Sequence, residues 1–163
     1  MKSVILIRHA KSSWDQIGLS DFDRPLNERG KEDAPKMAKR LVEKDVAIDA
    51  FISSPAKRAK KTASLFISEY EHAKSEIILV PELYHAGPEA FYTAIANAPA
   101  DANSIALFSH NPGITEFVNQ LTDVKIDDMP TCAIFAVKAN IKKWSEFRDA
   151  NKEFWFFDYP KAK

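Results

Sequence analysis

A three-layer α/β/α sandwich, with a mostly parallel central sheet and an antiparallel edge, is the architecture this sequence predicts. Three observations predict it. Short apolar runs rich in β-branched residues alternate along the chain with stretches of helical period. Near the C-terminal end two apolar runs follow one another with no helical stretch between them, which adds strands antiparallel at one edge. The connections are short, and no repeat, low-complexity tract or linker interrupts them, so one domain over residues 1–163 is expected.

The first strand covers residues 4–7, four consecutive apolar residues of which three are β-branched, and it ends abruptly in Arg8-His9. A run of this kind reads as a central strand covered on both faces. Residues 11–24 are polar, carry Trp14, Gly18 and three aspartates, and show no period. They are read as a loop on the carboxyl edge of the sheet. Ala34, Met37, Ala38, Leu41 and Val42 then recur at helical spacing over 34–44, with Asn27 as the candidate N-cap. A second strand over 49–53 breaks at Ser54-Pro55 into a helix that opens at Ala56 and continues its apolar stripe through Leu65, Phe66 and Tyr70.

Residues 77–80 form a third strand ending in Pro81-Glu82-Leu83-Tyr84-His85, and Gly87-Pro88 begins a helix closed by Pro99. The fourth strand, 104–109, ends in His110-Asn111-Pro112-Gly113 before a helix through Phe117, Val118 and Leu121. A fifth strand is expected over 132–137 and an edge strand over 153–158, with Pro160 marking the end; 144–147 is ambiguous. Alternating members of the aromatic cluster Phe154, Trp155, Phe156, Phe157 and Tyr159 are expected to cover the sheet edge.

Composition narrows the function classes. Of 163 residues 45% are hydrophobic and 28% charged, the balance of a globular chain with a real core rather than a disordered one. Lys plus Arg equals Asp plus Glu at 23 each, which argues against a general nucleic-acid or anionic-membrane binder. The single cysteine, Cys132, excludes an intramolecular disulfide and sits in an apolar run as a small buried hydrophobe. Residues 4–7 are too short for the apolar region of a signal peptide, and no apolar stretch reaches transmembrane length. A cytoplasmic location follows as the expectation.

Chemistry collects at strand ends. In a parallel sheet the carboxyl ends of the strands lie on one edge, so Arg8 and His9, Arg58 at the opening of the second helix, Ser109-His110 and Glu82 can converge on one pocket. Two arginines, two histidines and a carboxylate suit phosphoryl transfer through a covalent intermediate. A phosphoryl group in transfer spreads negative charge over three equatorial oxygens, and Arg8 and Arg58 offer planar, permanently charged forks for them. His110, if protonated between anionic partners, would be a third donor, helped by the N-terminus of the following helix. His9 would be the nucleophile, its other ring nitrogen held by a carbonyl.

Each residue also has a structural reading. Arg58 lies in the basic run Lys57 to Lys61, which ordinarily marks a solvated helix face, and His110 could cap a turn. His72 is read as structural, and His85 is undecided between structure and the pocket rim.

Arg8-His9 after the first strand, Arg58 within Ser53-Ser54-Pro55-Ala56-Lys57-Arg58-Ala59, and Ser109-His110 late in the chain resemble the histidine phosphatase superfamily, which includes cofactor-dependent phosphoglycerate mutases and many acid phosphatases. The usual Arg-His-Gly of that family is Arg8-His9-Ala10 here. The run Arg8-His9-Ala10-Lys11-Ser12, followed by Arg24-Pro25-Leu26-Asn27-Glu28-Arg29-Gly30 in a short chain, is similar to the SixA-type phosphohistidine phosphatases. The resemblance implies a phosphoglycerate mutase-like fold and hydrolysis through a phosphohistidine on His9. It also implies no metal and no cofactor.

Two positions depart from the family pattern. Asp15 stands where the mutases have a phosphate-contacting asparagine, and Glu82 matches the region of their proton donor in different surroundings. The favoured substrate is a phosphohistidine-bearing protein, admitted by a pocket without a lid. The alternatives are a small-molecule phosphomonoesterase and, from a different class, a non-catalytic phosphate or phosphoprotein binding module.

Overall fold

The computed structural model describes residues 1–15, 17–70 and 76–162; His72 lies outside them. Among the described residues six strands form one sheet in the order β3-β2-β4-β1-β5-β6. They are β1 (Lys2–Arg8), β2 (Ala50–Ser53), β3 (Ile77–Leu79), β4 (Ser104–Ser109), β5 (Ile134–Ala139) and β6 (Lys152–Asp158). The first four are mutually parallel, β5 runs antiparallel to β1, and β6 antiparallel to β5. The helices are α1 (Glu28–Glu43), α2 (Lys57–Ser68), α3 (Pro88–Ala96) and α4 (Gly113–Val118).

The three layers follow from the two-residue period of the strands. Val4 and Leu6 of β1 point into one core with Ile105 and Leu107 of β4, under Phe91 and Ile95 of α3 and Phe117 and Val118 of α4. Ile5 and Ile7 point into the other with Ala106 and Phe108, under Met37 and Leu41 of α1 and Ala63 and Phe66 of α2. A strand that must be apolar on both faces reads as an unbroken apolar run, which is why β1 and β4 are visible in the sequence.

Register sets what meets at the carboxyl edge. Arg8 pairs with Ser109 across β1 and β4, and Ser53 pairs with Phe108 across β2 and β4. The residues that follow, His9, Ser54 and His110, are therefore neighbours although they lie far apart in the chain. The backbone N–H of His9 donates to the Ser109 carbonyl at 3.1 Å, and that of Ser54 to the Phe108 carbonyl at 3.0 Å.

α1 starts at Glu28 with Asn27 as its N-cap, as read from the sequence: the Asn27 side chain accepts from the Gly30 N–H at 2.9 Å, six residues before the apolar stripe begins at Ala34. Several elements differ from the sequence expectation at their ends. The fifth strand starts at Ile134 rather than at 132. Cys132 is held at φ 61°, and its N–H donates to the carbonyls of Arg8 (3.1 Å) and His9 (3.0 Å), closing the end of β1 instead of joining the ladder.

The ambiguous stretch at 144–147 is a 3-10 turn, Trp144–Glu146. In β6 a register shift opposite Ala136 and Val137 puts Phe154 and Phe157 on one face and Trp155 and Phe156 on the other, so both faces of this edge are covered. No helix among the described residues is long and apolar enough to cross a membrane.

The loop after β1 lies on the carboxyl edge, as its composition predicts. It is pinned by an isolated bridge between Ser12 and Leu26 and by the close approach of Gly30 to the Lys11 backbone. A Cβ at position 30 would collide with the Lys11 carbonyl, so Gly30→Ala must push apart α1 and the segment that follows His9. We expect a loss of about 2 kcal/mol, read as a fall in Tm of about 4–8 °C in thermal unfolding. An unchanged Tm would show that the loop is not pinned there.

Candidate active site

The carboxyl edge of β1, β2 and β4 opens into a cavity of about 640 Å³ whose lining includes Arg8, His9, Asp21, Arg24, Arg58, Tyr84, His85 and His110. His9 sits at its base, buried, with its Nδ1 at 2.7 Å from the carbonyl of Ala10. A carbonyl can only accept, so Nδ1 carries the proton and the lone pair lies on Nε2. That lone pair accepts from Arg58 Nε at 3.3 Å. The two residues are brought together by Thr62 of α2, whose hydroxyl accepts from the Ala10 N–H at 3.0 Å and donates to the Arg58 carbonyl at 2.8 Å.

His110 stands beside His9, ring centroids 5.0 Å apart. Its Nε2 lies 2.8 Å from the Ser54 hydroxyl, which already accepts from the Ala56 N–H at 3.2 Å. When Ser54 gives its own proton to Nε2, the ring proton of His110 rests on Nδ1. That atom is buried and has no partner among the described residues. Arg8 is in the same condition: Nη1 donates to the Met129 carbonyl at 2.9 Å, while the buried Nε has no partner. Buried polar groups are almost always satisfied, so Arg8 Nε and His110 Nδ1, both in residues that line this cavity, are exceptions.

Electrostatics agree. Burial lowers the pKa of His9 well below the ordinary histidine value; the Ala10 hydrogen bond opposes this, and the neighbouring charges of His110, Arg58 and Arg8 reinforce it. Burial and then Arg58 lower His110 to about 3, against an opposing pull from Asp21. Both rings are neutral at pH 7. His9 is thus a free base, and His110 is uncharged. The helix after it, α4, has only six residues, too short for the dipole contribution expected there.

The sequence candidates divide cleanly. Arg8, His9, Arg58 and His110 meet in the cavity, and His85 joins its rim through a left-handed turn at φ 61°. Glu82 does not. β3 is the outer strand of the sheet, and the turn Pro81–Leu83 buries Leu83 while Glu82 lines a separate depression with Ile52, Ile78 and Glu89. Asp15 is also outside, in an exposed groove with Ser13, Asn27 and Lys57.

The aspartate that reaches the cavity is Asp21, on the 3-10 turn Asp21–Asp23. Its Oδ2 accepts from Arg58 Nη2 at 3.0 Å and the Tyr84 hydroxyl at 2.7 Å, its Oδ1 from Arg24 Nε and Nη2 at 3.2 and 3.1 Å, and its carbonyl from Arg58 Nη1 at 2.6 Å. Burial opposes its ionisation, but the hydrogen bonds from Tyr84, Arg58 and Arg24 and the Arg58 charge hold its carboxyl far below the usual range. Asp21, Tyr84, Arg24 and Ser54 are not legible as site residues in sequence. Asp21 was one of three aspartates in a loop without period.

The model of the histidine phosphatase superfamily (branch 1) matches residues 4–85, half of the chain. The chain belongs to the histidine phosphatase superfamily. Its similarity to an uncharacterized chloroplastic protein of Arabidopsis thaliana is 29% identity over 153 residues, covering 89% of this chain and 70% of that protein. Of further curated relatives that it matches, the chain spans 24% to 49% of their length.

Two solved structures share the fold of this superfamily member across nearly the whole chain. The putative phosphohistidine phosphatase SixA from Agrobacterium tumefaciens has a TM-score of 0.81 at 24% identity, covering 98% of both chains. The protein histidine phosphatase SixA complexed with tungstate has a TM-score of 0.80 at 24% identity, covering 97% of both. The phosphoglycerate mutase-like architecture expected from the sequence is thus the one observed.

The depressed histidines have a consequence for acid stability. Above about pH 6.5 both folded and unfolded chains hold His110 neutral, and it contributes no pH dependence. Below that the unfolded chain binds a proton that the folded one refuses until about pH 3, so stability falls with pH across this window. His9 acts in the same direction. Denaturant unfolding at pH 7 and pH 4.5 should show an acid loss smaller by about 2 kcal/mol in His110→Asn than in wild type. Equal losses would mean that His110 is protonated in the folded protein.

Proposed function

We propose that this superfamily member is a phosphatase that transfers a phosphoryl group to Nε2 of His9 and then releases it to water, with a phosphohistidine carried on a protein as its favoured substrate. The observation that carries the reading is an unprotonated imidazole nitrogen, in contact with the Arg58 guanidinium, in a cavity that Arg8 and His110 also line. His9, Arg8 and His110 line the cavity together, and Arg8 Nε and His110 Nδ1 have no partner among the described residues. A phosphoryl group at Nε2 supplies the acceptor oxygens these donors lack. Arg58 Nε, which rests on the lone pair, must move to an equatorial oxygen as phosphorus approaches. The tungstate held by the similar SixA structure is an oxyanion of the same shape class and supports the same assignment.

The choice of leaving group rests on proton supply. Release of an alcohol needs a proton, and the cavity holds Asp21 as an ionised carboxylate and His110 as a neutral ring, while Glu82 lies elsewhere. A phosphoimidazole whose second nitrogen is protonated leaves as neutral imidazole without further help. Trp14, 78% exposed at the cavity mouth, offers a presented protein side chain an apolar contact. Asp15 and Glu82, the two positions that depart from the family pattern, both lie outside the lining of the cavity. Among the described residues no group of three or more His, Cys, Asp or Glu side chains gathers to hold a metal. The chemistry proposed is metal-independent.

Rapid mixing with a ³²P-labelled phosphohistidine protein in the presence of a chelator, followed by alkaline quench, should trap label on the wild-type chain and none on His9→Ala. Arg58→Ala should lower kcat/KM by about 30–150-fold, the loss of one donor worth about 2–3 kcal/mol to the transition state. Label that persists in His9→Ala would move the nucleophile elsewhere. Turnover abolished by the chelator would overturn the metal-free step, and hydrolysis confined to small phosphate esters would favour the phosphomonoesterase alternative.

A further inference from the structure

Three lysines of α2 stand where the helix gains nothing from them. Over its whole length, Lys57–Ser68, this helix carries Lys57, Arg58, Lys60 and Lys61 and no acidic residue. All of these cations fall in its opening turns, the end at which the helix dipole disfavours positive charge. Lys57 and Lys61 are also a like-charged pair one turn apart, which weakens a helix. Arg58 is accounted for by its contacts with His9 and Asp21. Lys57, Lys60 and Lys61 are exposed, and among the described residues none of them makes a salt bridge. Local rules broken with no local compensation point to a use elsewhere.

The three meet Lys31 of α1 around one open groove of about 590 Å³, with Leu26 and Ile77 among its apolar lining and no carboxylate. Lys31 has Glu28 as a loose neighbour at 3.6 Å. In a chain whose 23 cations equal its 23 anions, a groove lined by four lysines and no acid is a strongly uneven surface. It adjoins the cavity of His9. Arg24 and Arg58 line the cavity, while Pro25 and Lys57, their immediate neighbours in the chain, line the groove. The two depressions thus share the same two segments as walls.

We propose that this groove docks an acidic segment of the phosphoprotein substrate, whose phosphohistidine enters the adjoining cavity. This rests on the phosphatase reading and deepens it by giving the partner a chemistry. Carboxylates laid along the groove supply the counter-ions that Lys57, Lys60 and Lys61 lack and relieve the repulsion between Lys57 and Lys61. The apolar lining gives the stems of those acidic side chains a surface to pack on. Single-stranded nucleic acid is held by stacking on aromatic rings, and the groove has none. A flat bilayer does not enter a concave surface. Charge complementarity of this kind acts on encounter and on the choice of partner, not on the chemical step.

The test uses two phosphohistidine peptides of equal length, one flanked by glutamates and the other by glutamines, and phosphoimidazole as a substrate too small to reach the groove. At low salt the wild type should favour the glutamate peptide about tenfold in kcat/KM, through KM, the scale of several surface ion pairs together. At about 0.5 M NaCl screening should remove the preference. The triple variant Lys57→Gln, Lys60→Gln, Lys61→Gln should treat the two peptides alike and keep wild-type activity on phosphoimidazole. Its Tm should be equal or higher, because like charges have been taken from one helix end. A wild type that turns over phosphoimidazole but does not distinguish the peptides leaves the phosphatase standing and overturns the docking groove, as does a preference that survives in the triple variant. Binding of a uridine oligonucleotide or of phosphatidylserine vesicles that the triple substitution abolishes, with no preference between peptides, would assign the groove to that ligand instead. A wild type inactive on every substrate overturns the phosphatase reading, and this inference with it.

Discussion

The parallel pairing of β1 with β4 places Arg8 opposite Ser109, and with that register the two histidines have no choice but to stand side by side. Everything at the site descends from this juxtaposition. The strands stay in register because each is apolar on both faces and is clamped between two helical layers; a one-residue slip would exchange Leu6 with Ile7 between the two cores. Cys132 completes the constraint by capping the carbonyls of Arg8 and His9, so the chain leaves β1 at a fixed point and angle. The imidazole is then aimed by a single short contact to the neighbouring Ala10 carbonyl.

Around that fixed base the site is a balance of charges. Burial, and after it the charges of Arg58 and Arg8, draws the histidine pKa values down and keeps both rings neutral. Asp21 returns part of that positive charge and anchors Arg58 through two of its nitrogens. The third nitrogen rests on the lone pair of His9 Nε2. The Arg58 guanidinium is thus held through all three of its nitrogens.

The contrast between Glu82 and Asp21 shows where reading from sequence runs out. Both are acidic residues near a strand end, and the pattern alone favoured Glu82, which follows β3. Position within the sheet reversed this: β3 is the outer strand, so its end opens on a different surface, while an irregular loop folds back over the central strands and delivers Asp21. Asp15 fails for the same reason, since it lies in that loop but on its outer side. Loop trajectory is decided by contacts such as Arg24 with Ser12 and Trp14, and such contacts leave no period to read.

The order of strands and helices, the double-sided apolar strands and the placing of Arg8, His9, Arg58 and His110 at their ends are determined by the chain itself, because periodicity and strand termination are local properties. That these four share a cavity, that neither histidine carries a charge, and that the acidic partner is Asp21 were decided only by the tertiary structure. Register, burial and the path of an aperiodic loop are sums over residues distant in sequence, and charge states follow from those sums.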